Sequence, residues 1–496
     1  MAKHTGSVFS VDVVGMGDNA SLPAYERIRA RIQAAIRSGA AAPNSRLPSS
    51  RTLASDLGVA RNTVDAALDE LVADGYVVRR RGAGTFVAAS LPEPDASPVM
   101  AYAAMPSAPT VPRRLSTRAV ALRAYPGHSS PTPAAPFAPS LPPIDVFPRR
   151  LWNRLLAREA MRKGDLYWEY GSSNGLPALR EAVAGHAAAM RATSASPEQV
   201  IIVTSTQQAV ELAAKVLADP GDSAWVESPG YPAARHCLAA AGLKVVAVAV
   251  DENGLVVADG QAAANDARLA YVTPSHQYPL GVEMSIDRRM ALLGWARAND
   301  SYVLEDDYDG DYRYEGRPIA SLQGMDEGNR TIYIGSFNKI AFPALRIAYA
   351  IVPESLVDAF VDAKHVADGH SASLLQGVLA AFIREGHLAS HLRKTRSIYD
   401  ERRQNFMAAG EMLHDWIKFG PARAGMHVTG HFKRGLGLDD VALAAACAER
   451  GVIVHPLSRY GKTDCGGLVF GFACATEGVT KSGLAIVRQS ILKSRK

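Results

Sequence analysis

The sequence predicts an α/β protein of more than one domain: a small helical domain with a β-hairpin, then a large domain on a mainly parallel sheet. Three observations carry this. Residues 19–89 run helix, short helix, helix, hairpin; residues 90–143 are crowded with proline and alanine; from Asp145 on, short β-rich runs alternate with helical patterns. A chain of 496 residues also exceeds what one hydrophobic core ordinarily serves. Its 48% hydrophobic and 21% charged residues describe an ordinary packed protein. The net charge of +5 is mild for the length, so where the charge sits matters more than its sum.

Residues 1–18 carry no periodicity and read as a loose leader. From Leu22, the residues Tyr25, Ile28, Ile32 and Ile36 recur at helical spacings, and Gly39 closes that helix. After APNSRLP, Ser49 or Ser50 caps a short helix, Arg51–Leu57, that stops at Gly58. Asn62 or Thr63 begins the next helix, with Val64, Ala67, Leu68 and Leu71 on its apolar face, ending near Gly75. Two β-rich runs, Tyr76–Val78 and Thr85–Val87, flank a basic glycine turn. This is the layout of a winged helix-turn-helix, whose second motif helix enters the major groove by its N-terminal end. Arg51 opens the first motif helix, Arg61, Asn62 and Thr63 open the second, and Arg79, Arg80 and Arg81 lead into the wing. From Glu26 to Arg81 ten arginines face six acids, a local +4.

A generic three-helix domain with an arginine-rich surface would share that pattern. The wording is more specific. RLPSSRTLASDLGVARNTVDAALDELVADGYVVRRRGAGTFVA closely resembles the GntR-type winged-helix domain, through its LPSSR, LGV-RNTV and GAGTFV signatures. The resemblance implies double-stranded operator DNA as partner, met by Ser49, Ser50, Arg51, Arg61, Asn62, Thr63, Arg79, Arg80, Arg81 and Gly84.

Residues 90–143 cannot bury enough apolar surface to fold compactly and read as a semi-extended tether, with a short docked helix over Arg114–Leu122. The four cysteines (Cys237, Cys447, Cys465, Cys474) show no CxxC or Cys/His metal spacing, so no metal site is expected, and free thiols in a reducing cytoplasm are the simplest account. The N-terminus lacks an apolar signal region, and no run approaches the roughly 18 apolar residues of a spanning helix. The sequence therefore predicts a cytoplasmic protein without membrane contact.

In the large domain, 144–496, Trp152–Met161 reads as a helix, and Val200–Val203 as a strand leading through TSTQQA into a helix over Ala209–Leu217. A strand feeding a helix N-terminus through small hydroxyl residues makes a phosphate site, although many strand-to-helix turns look alike. ESPGYP places the ring of Tyr231 on a strand-to-helix loop. Leu269–Thr273 is a strand entering TPSHQYPLG. Tyr302–Leu304 ends in Glu305-Asp306-Asp307, which fits metal ligands, a ligand-binding strand end, or a solvated loop. Then comes TIYIGSFNKIAFPALRIAYA, where Lys339 stands among Phe337, Ile340, Ala341 and Phe342. An apolar wall disfavours the ammonium and leaves the nucleophilic amine that Schiff-base chemistry needs. Ser336 and Arg346 bracket it with a hydroxyl and a planar cation suited to a phosphate. A lysine snorkelling beside a core strand fits the same residues.

YGSSNGLPALREAV, TSTQQA, ESPGYP, TPSHQYPLG, LEDDYDGDYRY and GSFNKIAFPALRIAY, in that order, resemble a fold-type I aminotransferase domain with a C-terminal α+β subdomain. Joined to the winged helix, they resemble the MocR-type (GabR-like) regulators of the GntR family. The resemblance implies pyridoxal 5'-phosphate (PLP) in an internal aldimine with Lys339. It implies Asp306 at the pyridine nitrogen, Tyr308 at the phenolic oxygen with His276 or Gln277 nearby, and Tyr231 stacked on the ring. Thr204, Ser205, Thr206, Ser336 and Arg346 would hold the phosphate. Tyr170 would reach the neighbouring subunit's cofactor, which makes the protein a homodimer.

Two positions depart from that pattern. Ser205 stands where the phosphate loop usually has glycine, and Val469, in GGLVFGFACA, stands where catalytic relatives carry the arginine that clamps a substrate carboxylate. Losing that clamp removes the positioning that makes transamination fast; Arg459 or Arg423 would have to replace it. The expected function is a PLP-dependent transcriptional regulator that senses an amine or amino acid. Two alternatives stand beside it, a working aminotransferase with a DNA-binding appendage and a sensor of PLP itself.

Overall fold

The computed structural model describes residues 22–91, 114–123, 135–139, 141–316 and 320–494. The leader and most of the Pro/Ala-rich stretch lie outside them. The chain divides into two compact units between Arg113 and Arg114.

The first unit has three helices, α1 (Ala24–Arg37), α2 (Ser50–Leu57) and α3 (Arg61–Ala73), and a hairpin of β1 (Val77–Arg80) and β2 (Gly84–Val87). The periodic Ile28, Ile32 and Ile36 of α1 are buried against Leu53 of α2, Val64, Leu68 and Leu71 of α3, and Val77 and Val87 of the hairpin. Ser49 caps α2, its hydroxyl accepting the Thr52 N–H at 3.1 Å, and Gly58 ends it in a left-handed conformation. Helix α3 begins at Arg61, one or two residues before the expected Asn62 or Thr63; its N-cap, Ala60, offers no side-chain bond, and Arg61 instead pairs with Asp65 one turn on at 3.4 Å. Strand β1 runs two residues further than the apolar pattern, through Arg79 and Arg80, because its register with β2 pairs Arg79 with Thr85 and Arg80 with Gly84.

The second unit is built on an eight-stranded sheet of β3 (Val200–Val203), β4 (Ser223–Ser228), β5 (Lys244–Asp251), β6 (Gly254–Leu255), β7 (Leu269–Val272), β8 (Tyr302–Asp307), β9 (Thr331–Ser336) and β10 (Ala348–Ile351). The order is β3-β10-β9-β8-β7-β4-β5-β6. The centre, β9 to β5, is parallel; β10 runs antiparallel to both neighbours, and β6 to β5. Strands as different in place as VIIV at one edge and LAYV at the centre are buried at every position, as a sheet covered on both faces requires. One core layer gathers Val200, Ile202, Tyr333 and Phe337 with the helix Ser373–Arg384. The opposite layer gathers Ile201, Val203, Leu304 and Ile334 with the helix Thr206–Leu217.

A second sheet, β11 (Ile417–Phe419), β12 (His427–Phe432), β13 (His455–Pro456) and β14 (Gly467–Gly471), is antiparallel in the order β11-β12-β14-β13. Helices Asp440–Ala448 and Glu477–Ser494 cover it. Two described pieces of the Pro/Ala-rich stretch belong to this unit. Thr117–Arg123 is helical and lies against the helix Pro232–Ala240. Phe137 is fully buried, edge-on to Phe406 and Phe470 at 5.4 and 6.0 Å, and bridges to Gly471.

Candidate functional site

The parallel strands β7, β8 and β9 end side by side, and their ends bring the predicted residues together. Strand β9 runs through Gly335 and Ser336; a Cβ on Gly335 would lie 2.3 Å from the Tyr349 ring. Ser336 then caps a four-residue helix, Phe337–Ile340, which carries Lys339. On β8 the acidic triplet is part of the strand, and its carboxylates are buried rather than a solvated loop. Glu305 accepts the N–H groups of Leu322 and Gln323 at 2.8 and 3.0 Å. Asp307 accepts the Tyr333 hydroxyl at 2.6 Å and pairs with Arg191 at 2.6 Å. Asp306 accepts from Tyr271 on β7 at 2.5 Å and from Thr206 at 3.4 Å. Each acid is inside because a distant element supplies its donors.

Lys339, Asp306, Tyr308, Tyr231, Ser336 and Thr206 line one cavity of about 150 Å³. Burial pushes the Lys339 ammonium below the usual lysine range and Arg346 adds to this, while Asp309 and Asp306 oppose it. Burial lifts the Asp306 carboxyl to about 7, against the Tyr271 hydrogen bond. The amine and the carboxyl thus line one cavity with their charged forms disfavoured, which suits a ligand that supplies a cation to the carboxyl and takes the amine as nucleophile.

The other predicted contacts take different places. Thr204 bonds Gln208 Oε1 through its N–H and hydroxyl at 2.8 and 3.2 Å, and Ser205 accepts the Gln208 N–H at 3.3 Å, so these two start the helix Thr206–Leu217. His276 is buried behind Tyr308, with Nδ1 3.1 Å from Asp309 and 3.0 Å from the Tyr308 hydroxyl. Gln277 donates to Glu227 and to the carbonyls of Pro229 and Tyr278. Neither His276 nor Gln277 lines the cavity; both brace its wall. Arg346 stands at φ 54° on an exposed turn. Arg459 lies on the short turn Leu457–Tyr460 beside His455, outside the lining. Arg423 is 75% exposed, with Glu315 at 4.0 Å, and is not at the cavity. Tyr170 is 97% exposed beside Trp168, Glu169 and His370.

Four lining residues escaped sequence reasoning: Pro139, Tyr271, Thr273 and Tyr278. Tyr278 stands inside the quoted TPSHQYPLG, next to the residues singled out, whereas Tyr271 and Thr273 read only as strand. Pro139 carries no local signal. Val469 is fully buried on β14, packed with Tyr278, Tyr308, Leu457 and Tyr460.

In the small unit Arg51, Arg61, Asn62, Arg81 and Gly84 are exposed, Ser50 and Thr63 half-buried. Ser49 spends its hydroxyl on the α2 cap. Arg79 pairs with Asp69 at 2.5 Å, and Arg80 lies over the Phe86 ring at 4.7 Å. Gly84, at φ 111°, opens β2, and a Cβ there would meet Arg46 at 3.0 Å.

Residues 24–87 match the model of the bacterial regulatory proteins of the gntR family, and residues 152–481 that of aminotransferases of class I and II. The probable rhizopine catabolism regulatory protein MocR of Rhizobium meliloti is 37% identical over 477 residues, covering 96% of this chain and 95% of its own. The HTH-type pyridoxine biosynthesis transcriptional regulator PdxR of Corynebacterium glutamicum is 29% identical, over 93% and 94%. Among solved structures, Pyrococcus horikoshii kynurenine aminotransferase superposes with a TM-score of 0.67 at 24% identity, over 77% of this chain and 96% of its own.

Proposed function

Since the chain belongs to the MocR-type regulators, PLP-dependent transcription regulators that join a gntR-family DNA-binding domain to an aminotransferase domain of class I and II, we propose that its large unit senses a small amine or amino acid. The cofactor is PLP, and the residues fit it. Asp306 is a buried carboxyl that accepts from the Tyr271 and Thr206 hydroxyls, and a protonated ring nitrogen would keep it ionised. Lys339 is a buried amine lining the same cavity, and Ser336 with the N-terminus of Thr206–Leu217 offers hydroxyl and N–H donors for a phosphate. When bound, PLP supplies an electrophilic carbon that combines with primary amines.

In this reading Lys339 binds the cofactor, Asp306 holds the ring nitrogen, Tyr308 faces the phenolic oxygen and Tyr231 covers the ring. Thr204, Ser205, Thr206, Ser336 and Arg346 hold the phosphate. His276 and Gln277 keep Tyr308 and Tyr278 in place. One observation carries the choice of sensor over working aminotransferase: Val469 is buried among phenols where a clamp arginine would stand. The effector shifts the large unit between conformations only by the difference in its affinity for them.

Residues 19–89 form the DNA-binding domain and 144–496 the effector domain. The protein acts as a homodimer: Met161, Trp168 and Tyr170, exposed at 79%, 75% and 97%, supply an apolar surface for a second copy, with Tyr170 directed to the partner's cofactor. Among the described residues no helix is long and apolar enough to cross a membrane. A regulator that meets operator DNA works in the cytoplasm.

The test is the visible absorption of the PLP-loaded protein, titrated with amino acids, ω-amino acids and taurine. A saturable, persistent shift without amino-group transfer to added keto acids supports the sensor. Rapid transfer makes the protein an aminotransferase, and a band indifferent to every amine makes PLP itself the signal, as the name of the pyridoxine-biosynthesis relative suggests.

A further inference from the structure

We propose that the sensed amine carries neutral hydroxyl groups, not a carboxylate, at the end remote from its nitrogen; this rests on the reading of the large unit as an amine sensor. Val469 lies on β14 opposite Thr429 and His455 and is fully buried. It packs with Tyr278, Tyr308, Leu457 and Tyr460, and the first two of these rings also line the cavity. The wall that holds a guanidinium in clamped sites is here aliphatic and phenolic.

Behind that wall the polar groups form a chain. The Tyr278 and Tyr460 hydroxyls are 3.0 Å apart, and Tyr460 Oη is 2.7 Å from His455 Nδ1. Burial and the charge of Arg459 push His455 down to about 4, so at neutral pH the chain ends on an uncharged imidazole. A carboxylate docked there would give up its water for phenols, with no basic side chain other than Lys339 among the described lining residues to receive it. A hydroxyl both donates and accepts, so it extends a phenol chain at either end. Of the remaining lining, Thr273 adds a hydroxyl, while in this reading Thr206 and Ser336 are committed to the phosphate and Asp306 to the ring nitrogen. Lys339 is the basic side chain among the described lining residues, and in this reading it is committed to the cofactor.

The test uses the full-length, PLP-loaded protein and matched amines that differ at the far end: 3-amino-1-propanol against β-alanine, 2-amino-1,3-propanediol against serine, with glucosamine as a bulkier polyol. The concentration that half-saturates the visible-band shift is read for each. The member of each pair that has a hydroxyl in place of the carboxylate should saturate at least about tenfold lower, and Val469→Arg should narrow or reverse the gap. A carboxylate that saturates at the same or lower concentration overturns the proposal while leaving the sensor standing. Loss of that carboxylate response in Arg459→Gln would then identify Arg459 as the clamp. If no amine of either kind shifts the band, the sensor reading and this proposal fall together. The wild-type comparison decides even if Val469→Arg fails to fold.

Discussion

Burial disfavours the charged form of both Lys339 and Asp306, so their chemistry follows from what a ligand brings to them. Lys339→Ala should remove the visible band of bound PLP and the response to amines while leaving operator binding detectable; complete loss of DNA binding would show that the two units do not work as separate modules. The acids make a second prediction. Asp306, Glu227 and Glu305 are each lifted to about 7 by burial. A carboxyl whose folded pKa is raised stays protonated in the folded chain after the unfolded chain has lost its proton. The unfolded state then binds fewer protons, so stability falls as pH rises from about 4 to about 7. At about 1.4 kcal/mol per unit the ceiling is roughly 4 kcal/mol for each group. The melting temperature of PLP-free protein should therefore drop between pH 5 and pH 8, less so in Asp306→Asn, and PLP should restore much of it by ionising Asp306 against its ring nitrogen. A pH-independent melting curve for the PLP-free protein would count against carboxyls raised by burial.

Elements position these residues through a few close approaches. Gly335 lets β9 pass the Tyr349 ring, so Gly335→Ala forces the strand that delivers Ser336 and Lys339 away from β10. PLP affinity should fall at least about tenfold, roughly 1.4 kcal/mol, in an absorbance titration, while an unchanged affinity would mean the strand has slack. In the small unit the Ser49 cap is worth about 1 kcal/mol. Ser49→Ala should lower the melting point of a unit with so small a core without changing the salt dependence of DNA binding. Arg81→Ala, at an exposed wing position, should do the reverse. Its signature is a log–log salt slope smaller by about one, with little change in stability.

At the scale of the whole molecule the assembly is the open quantity, and the exposed rings around Tyr170 are its handle. Trp168→Asp places a charge in that apolar surface. It should shift sedimentation from dimer toward monomer and weaken PLP retention with it. A variant that stays dimeric, or a monomer that holds PLP as well as the wild type, would show that the site is complete within one chain.

By itself the sequence determined what local pattern encodes. The isoleucine spacing of α1, the Ser49 cap, the buried VIIV and LAYV strands and the apolar run around Lys339 each follow from residues within a few positions of one another. Only the tertiary structure decided which polar groups meet. Tyr271 reaches Asp306 from 35 residues away and Tyr278 reaches Tyr460 from 182. The acidic triplet looked like a solvated loop because its donors, Leu322, Gln323, Tyr271, Arg191 and Tyr333, lie on other elements. Pro139 gains its meaning only from the fold that closes around the cavity. Periodicity records which side of an element is dry. A hydrogen-bond partner for a buried charge is fixed only when distant strands come into register, because that register alone decides whether its desolvation is compensated.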